Sequence, residues 1–302
     1  MTRRALITGI AGFTGRYMAS ALREVDYEVF GNSIEPSNDH RIIHADLCDL
    51  DSIRNLLKFV NPDVIIHMAA ISNVVHGDIA ELYMSNIVGS RNLLQALTEL
   101  KKPLESVMLV SSANVYGNSN TELLTEESPL DPVNDYSVTK LAMEHLSSLW
   151  GDQLPIFIVR PFNYTGIGQA KHFIIPKIVD HFARGAKTIA LGNLDVFREF
   201  NDVRQVVEIY RRLIEINPFG KIINVCTGNA YSLNDAINIM NTIAGYEIDV
   251  EIDPSFVRDN EIKILRGSND FLKSFIGSVR SIPLEETLRW MYKGSRCASE
   301  LM

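Results

Sequence analysis

Cysteine is scarce in this 302-residue chain: Cys48, Cys226 and Cys297 form no CxxC pair and share no regular spacing. That excludes a disulfide framework and a cysteine zinc site, and it fits a reduced, cytoplasmic setting. Long apolar runs are also lacking. No stretch approaches the roughly 18 uninterrupted apolar residues of a membrane span. In the N-terminal MTRRALITGIAGFTG, glycine and threonine interrupt the apolar run before a signal-peptide core can form. Basic residues are outnumbered, 29 Lys and Arg against 37 Asp and Glu, for a formal charge of −8. Such a balance leaves no broad basic face, so nucleic acid is not an expected partner. His40, His44, His67, His76, His145, His172 and His181 form no metal-ligand spacing, so no metal is expected. Internal repeats and low-complexity segments are missing as well.

What is present is alternation. A rule of roughly 150 residues per domain allows one large domain or two unequal ones. Short apolar runs at Ala5–Thr8, Glu28–Phe30, Ile42–Ala45, Pro62–His67, Ser106–Val110 and Ile156–Arg160 read as strands. Helical patterns lie between them. One covers Gly15–Arg23; a second presents Ile53, Leu56, Leu57 and Val60 on one face, with Asp51 placed to cap it. A single long helix is expected from about Ile79 to Leu97, and another through Val138, Leu141, Ala142, His145, Leu146 and Leu149. This order predicts an α/β chain with a Rossmann-like, doubly wound parallel sheet. After Pro161 the rhythm loosens. Ile222–Val225 reads as one more buried strand, residues 230–302 as two or three helices with a charged strand-like run from Ile248 to Ile252, and the tail from Gly294 as frayed.

Gly9, Gly12 and Gly15 fall between the first strand and the first helix. At such a junction one glycine makes the tight turn, one lets a pyrophosphate approach the backbone, and one lets helix and strand pack closely. The helix N-terminus adds free N–H groups and partial positive charge. The end of the second strand bears on which nicotinamide cofactor fits. It reads Phe30, Gly31, Asn32, Ser33, Ile34, with no carboxylate before Glu35 to take a ribose 2′-hydroxyl. Asn32 and Ser33 leave room for a 2′-phosphate, with Arg16 available as a charge, so NADP is expected and NAD stays open.

Tyr136 and Lys140 open the helix containing Val138 and Leu141, and their i, i+4 spacing puts both on one side. An ammonium beside a phenol favours the phenolate, which would lower a pKa that starts near 10 and make Tyr136 a proton donor or acceptor near neutrality. Ser111 and Ser112 follow the fifth strand, at the carboxyl edge where doubly wound sheets bind ligands.

Together these residues resemble the extended short-chain dehydrogenase/reductase family, over essentially the whole chain. The glycine turn, Asp46-Leu47, HMAA at 67–70, SSANVYG at 111–117 and YSVTK at 136–140 all match its pattern. The resemblance implies a catalytic Ser112, Tyr136 and Lys140. It also implies a cofactor groove of Gly9, Gly12, Phe13, Thr14, Gly15, Asn32, Ser33, Asp46, Leu47, Ala69 and Ala70, together with Tyr136 and Lys140, in which Asp46 meets the adenine and Lys140 the nicotinamide ribose. RPFNYTGIGQ at 160–169 and GNLDVFREFNDV at 192–203 are similar to the GDP-mannose dehydratase and GDP-4-keto-6-deoxy-D-mannose reductase branch. That likeness implies a nucleotide-diphosphate sugar substrate, contacted by Ser112, Asn114, Asn163, Asn193, Arg198 and Arg258. Two arginines suit one diphosphate because their planar forks match phosphate oxygens. Asp259 stands where the Arg258 motif usually has proline. The implied organisation is a dinucleotide-binding domain of residues 1–160, joined by about 196–226, and a smaller C-terminal α/β substrate domain of 161–195 and 227–302. A homodimer, pairing the helices near 79–98 and 138–149, is implied too.

The residue two positions after Ser112 separates the reactions. A 4,6-dehydratase carries a carboxylate there to remove the C5 proton; Asn114 cannot act as that base. The expectation is therefore reduction of a C4 ketone, best GDP-4-keto-6-deoxy-D-mannose to GDP-D-rhamnose. Related reductases often keep a glutamate at this position, so a dTDP-linked 4-keto sugar stays open, as does a C4 epimerase, which needs no carboxylate. A non-catalytic dinucleotide sensor is disfavoured by the retained Ser112, Tyr136 and Lys140.

Overall fold

Strands and helices alternate along the first half of the computed structural model, which describes residues 2–72, 78–119, 121–256 and 262–299. In chain order come β1 (Arg4–Thr8), α1 (Phe13–Arg23), β2 (Glu28–Ser33), β3 (Ile42–His44), α2 (Leu50–Val60), β4 (Val64–His67), α3 (Ile79–Tyr83), α4 (Ser90–Thr98), β5 (Ser106–Val110), α5 (Asp135–Ser147) and β6 (Ile156–Pro161). The second half adds β7 (Tyr164–Thr165), α6 (Ile174–Ala183), β8 (Thr188–Leu191), β9 (Phe197–Glu199), β10 (Asn201–Asp202), α7 (Val203–Ile216) and β11 (Ile222–Val225). It ends with β12 (Ala230–Ser232), α8 (Leu233–Ala244), β13 (Asp249–Ile252), β14 (Ile264–Leu265), α9 (Asp270–Ile276) and α10 (Leu284–Ser299).

Seven strands make one sheet in the order β11-β6-β5-β4-β1-β2-β3, parallel throughout. Helices cover both faces, which is why β4, β5 and β6 are buried along their whole length and read as continuous apolar runs. On one face α1, α7 and α9 pack Met18, Leu22, Val206, Leu213 and Leu272 against the sheet. On the other, α2, α4 and α5 contribute Leu56, Leu57, Leu93, Leu97 and Met143. The chain leaves β1 toward β2 and β3, then returns to β1's other side as β4, so the order reverses between β1 and β4. Outside the carboxyl ends of strands at such a reversal there is a ready-made crevice. A separate core of Ile178, Phe182, Met240 and Leu288 holds α6, α8 and α10 together beside the β8–β13 pair.

Three details differ from the sequence expectations. Asp49, rather than Asp51, caps α2: its carboxylate accepts from the Asp51 N–H at 3.0 Å, because Asp49 still has extended backbone while Asp51 is already helical. The expected long helix from Ile79 is interrupted by a π-helical segment, Met84–Gly89, between α3 and α4. From Gly294 to Ser299 the tail is helical rather than frayed, and residues 300–302 lie outside the described residues. α10 runs to Ser299, Leu284, Leu288 and Met291 are buried, and Gly294 sits where a Cβ would meet the Ile167 side chain at 2.6 Å. No helix among the described residues is long and apolar enough to cross a membrane.

Candidate active site

The glycine turn is built by close backbone approach. Gly9 has φ +73°, and a Cβ on it would lie 2.9 Å from the Ala69 backbone; on Gly15 it would lie 2.3 Å from the Gly9 carbonyl oxygen. The turn and the Ala69–Ala70 segment are thus pressed together at the carboxyl ends of β1 and β4. Gly12 caps α1 without any side-chain hydrogen bond, and the helix's first turn carries no acidic residue. Its leading N–H groups are left for an anion. At the end of β2, Asn32 is buried; its Nδ2 donates to the Ala45 carbonyl at 3.0 Å and its Oδ1 has no partner. Ser33 Oγ accepts from the Glu35 N–H at 3.0 Å. Asp46 is exposed at the end of β3 and accepts from the Cys48 N–H at 2.8 Å, with Leu47 buried beside it. A glycine cradle that no side chain could enter, an uncapped helix end and an orphaned acceptor at the second strand together fit a dinucleotide.

Beneath this groove a buried chain of hydrogen bonds fixes the strand ends. The Ser90 hydroxyl donates its one hydrogen to the Asn86 carbonyl at 2.6 Å, so it accepts from His67 Nε2–H at 2.8 Å. The bare Nδ1 then accepts from the Thr8 hydroxyl at 2.7 Å, and Thr8 Oγ1 accepts from the Met68 and Ala69 N–H groups, both at 3.1 Å. Burial, with the Lys140 charge adding to it, pushes His67 down to about 3. A histidine kept neutral in the fold but protonated near 6.5 when unfolded stabilises fully above that value and loses its contribution as pH falls toward 3. We expect His67→Asn to be less acid-sensitive than the parent. In urea unfolding between pH 6.5 and 4, the stability of the parent should fall more steeply, by up to about 1.4 kcal/mol per pH unit. Equal slopes in the two proteins would refute this.

Ser112, Tyr136 and Lys140 converge at the carboxyl ends of β5 and β6. Asn134 caps α5 by accepting from the Ser137 N–H at 2.9 Å, which sets Tyr136 in the first turn. The Ser112 hydroxyl accepts from the Asn114 N–H at 3.2 Å and lies near enough to the Tyr136 phenol to favour its ionised form. Lys140 Nζ donates to the Val110 carbonyl at 2.8 Å and lies 5.9 Å from the centre of the Tyr136 ring. One expectation is corrected here. Burial pushes the Tyr136 phenol well above its ordinary range, with the neighbouring Tyr164 adding to the rise, and Ser112 opposes it only in part. With its ammonium donating to the Val110 carbonyl and 5.9 Å from the ring centre, Lys140 does not offset the burial of the neutral phenol. Lys140 itself is pushed down by burial to about 8, against the pull of the Glu144 carboxylate. Tyr136 is therefore a protonated acid at neutral pH.

The other expected residues are more scattered. Asn114 is half-buried in the turn after Ser112. Asn163 is exposed, its carbonyl accepting from the Asn201 N–H at 2.9 Å, and Asn193 is exposed after β8. Arg198, on β9, donates to the Phe197 and Lys263 carbonyls at 2.9 and 3.3 Å. Arg258 lies outside the described residues, as do Asp259 and His76. Tyr164 carries a contact that sequence spacing does not reveal. Its hydroxyl pairs with Thr14 Oγ1 at 2.8 Å and its ring stacks on Phe13 at 6.1 Å, so the loop after β6 is strapped to the glycine turn. Only the aromatic at this place within RPFNYTG hinted at it.

A family profile described as GDP-mannose 4,6 dehydratase matches residues 6–291. The chain belongs to the extended short-chain dehydrogenase/reductase family. Among its relatives, the GDP-6-deoxy-D-talose 4-dehydrogenase of Aggregatibacter actinomycetemcomitans is 34% identical over 96% of this chain and 97% of its own. The GDP-6-deoxy-D-mannose reductase of Pseudomonas aeruginosa is 32% identical, over 96% of each chain. A putative epimerase from Burkholderia cenocepacia shares the fold at TM-score 0.92 and 46% identity over 98% of both chains. RMD from Pseudomonas aeruginosa, complexed with NADPH, does so at TM-score 0.86 and 30% identity over 99% of both. The seven-stranded Rossmann-like sheet and the smaller C-terminal α/β region are thus family features of this chain.

Proposed function

We propose that this protein is an NAD(P)H-dependent reductase of the C4 ketone of a nucleotide-linked 4-keto-6-deoxyhexose. Its substrate is GDP-4-keto-6-deoxy-D-mannose and its product GDP-D-rhamnose. The observation that carries this is the gathering of Ser112, Tyr136 and Lys140 at the carboxyl edge of the sheet, with an amide rather than a carboxylate at Asn114. Two full-length relatives that act on GDP-6-deoxyhexoses support the nucleotide. The absence of a carboxylate at the end of β2, and the NADPH in the Pseudomonas structure, support NADPH as the cofactor.

In this reading the dinucleotide, when bound, supplies hydride. Gly9, Gly12, Phe13, Thr14 and Gly15 hold its diphosphate, Asn32 and Ser33 its adenine-side ribose, Asp46 and Leu47 the adenine, and Ala69 and Ala70 line the groove. Ser112 hydrogen-bonds the C4 oxygen, Tyr136 gives it a proton as negative charge develops there, and Lys140 stabilises the phenolate left behind. Asn114 and Asn163 orient the sugar; Asn193, Arg198 and Arg258 take the nucleotide and its diphosphate. Residues 1–160 with 196–226 form the cofactor body and 161–195 with 227–302 the substrate body, α9 returning to pack on α7. The outward side of α3, α5 and their flanks exposes Ile79, Met84, Val138 and Leu149, which suits a two-fold homodimer in the cytoplasm.

Loss of NADPH absorbance, measured in parallel with GDP- and dTDP-linked 4-keto-6-deoxy sugars, tests the reading. Consumption with the GDP sugar, and GDP-D-rhamnose as the product, is the expected result. Consumption with only the dTDP sugar keeps the reaction and overturns the nucleotide; a talose product overturns the stereochemistry. No consumption with either sends the reading to a C4 epimerase or a dinucleotide sensor.

A further inference from the structure

A buried, fully paired set of charges lies one layer beneath the reacting groups. Glu144 stands one helical turn beyond Lys140 on α5, and Arg160 faces it from β6; their side chains are 4% and 3% exposed. Arg160 grips the carboxylate through Nη2 at 2.6 Å and Nε at 3.0 Å. Ser111, the neighbour of Ser112, donates its hydroxyl to the same carboxylate. The remaining guanidinium nitrogen donates to the Tyr116 hydroxyl at 3.0 Å, and Tyr116 donates onward to Asn224 Oδ1 at 2.7 Å. One ion pair therefore ties the helix bearing Tyr136 and Lys140 to both ends of the turn bearing Ser112. Such a pair is a poor stabiliser, because removing two charges from water offsets most of their attraction.

We propose that Glu144, clamped by Arg160, is a positioning residue for proton delivery: its carboxylate keeps the buried Lys140 charged, and its bond to Ser111 sets Ser112 against Tyr136. The direction of proton flow rests on the ketoreductase reading. Lys140 is 3% exposed, and burial alone favours its neutral form. The groups around it are few. On its own helix are Tyr136 and Glu144; from β6 comes Arg160, whose charge is engaged by Glu144; from β4 comes His67, which is neutral. Glu144, one turn along the same helix, is the carboxylate whose charge opposes the effect of burial on the ammonium. A neutral Lys140 could not stabilise the phenolate left by proton transfer, so activity falls as pH rises through its pKa.

Glu144→Gln keeps the size of the side chain and removes the charge. Its kcat should fall about tenfold or more with KM values changed less than about twofold, and the high-pH limb of kcat should move down by about one unit. Glu144→Asp, which keeps the charge, should return the limb most of the way. Because Glu144→Gln leaves a buried guanidinium unpaired, the double variant Glu144→Gln/Arg160→Met is measured beside it, and its limb should move in the same direction. Limbs that stay at the parent's pH, or an Asp variant displaced as far as the Gln variant, overturn the proposal. Lys140 is also titrated without turnover, by NMR of 13C-lysine-labelled protein with its signal assigned through Lys140→Met. The signal should titrate lower in the charge-free variants, and an unchanged titration overturns the proposal. If the parent reduces no 4-keto sugar, the functional reading fails while this readout still decides the role of Glu144.

Discussion

Tyr136→Phe should lower turnover by about 10³-fold while the protein binds NADPH within about twofold of the parent. The change removes one oxygen and keeps the ring, which is packed at the start of α5, so the groove is undisturbed. What is lost is the acidic hydrogen beside Ser112. Because burial holds the phenol protonated through the whole neutral range, the parent's rate should fall at high pH where Lys140 titrates, near 8, rather than at the tyrosine's own ionisation. Single-turnover oxidation of bound NADPH and a fluorescence titration of NADPH measure the two quantities. A variant keeping more than a tenth of the parent's turnover would remove Tyr136 as the proton donor.

The largest structural effect is expected at Gly117. It has φ +56°, and a Cβ there would fall 1.5 Å from the Asp131 carbonyl oxygen and 2.6 Å from its carbon. Both obstacles are backbone, and Asp131 is itself pinned by its N–H to the Val115 carbonyl at 3.0 Å. Gly117→Ala must therefore displace the chain between Ser112 and α5, with a cost of about 3 kcal/mol or more. Gly220 supplies the control. It has φ +72° with nothing within 4 Å of a Cβ, so its alanine variant meets only the backbone penalty, about 1 kcal/mol. Urea denaturation of the two variants separates steric clash from torsional strain, and equal losses would show that the close approach to Asp131 does not matter.

Legibility from sequence followed burial. β4, β5 and β6 could be found because strands covered on both faces must be apolar at every position, and α7 escaped assignment because it lies beyond the point where the rhythm loosens. The cap of α2 was misplaced by two residues because Asp49 and Asp51 offer the same carboxylate, and only backbone geometry tells which one is outside the helix. The π-helical segment has no local signature. It is stabilised from outside, where Asn86 bonds the Ile71 backbone in both directions and donates to Thr139 at 3.0 Å. Gly294 looked like the start of a frayed end, yet the space it leaves is filled by Ile167, far away in sequence. In the site, glycines and the Ser112, Tyr136, Lys140 set were visible as spacings. The electrostatics were not, since neither the burial of Tyr136 nor the meeting of Glu144 with Arg160 can be read from an interval along the chain.

The late return of the chain to its first half also constrains biosynthesis. β11, one of the two edge strands of the large sheet, is made only at residues 222–225, and α10 brings Trp290 against Tyr17 of α1 with Arg204 stacked on its ring at 3.9 Å. A nascent chain that has emerged only to residue 160 has its glycine turn but lacks α7 and α9, which cover one face of β1 and β4. Its apolar underside faces solvent until α7 and α9 have been made. Truncation that removes α9 should consequently be read as a defect of the cofactor groove as much as of the distant lobe.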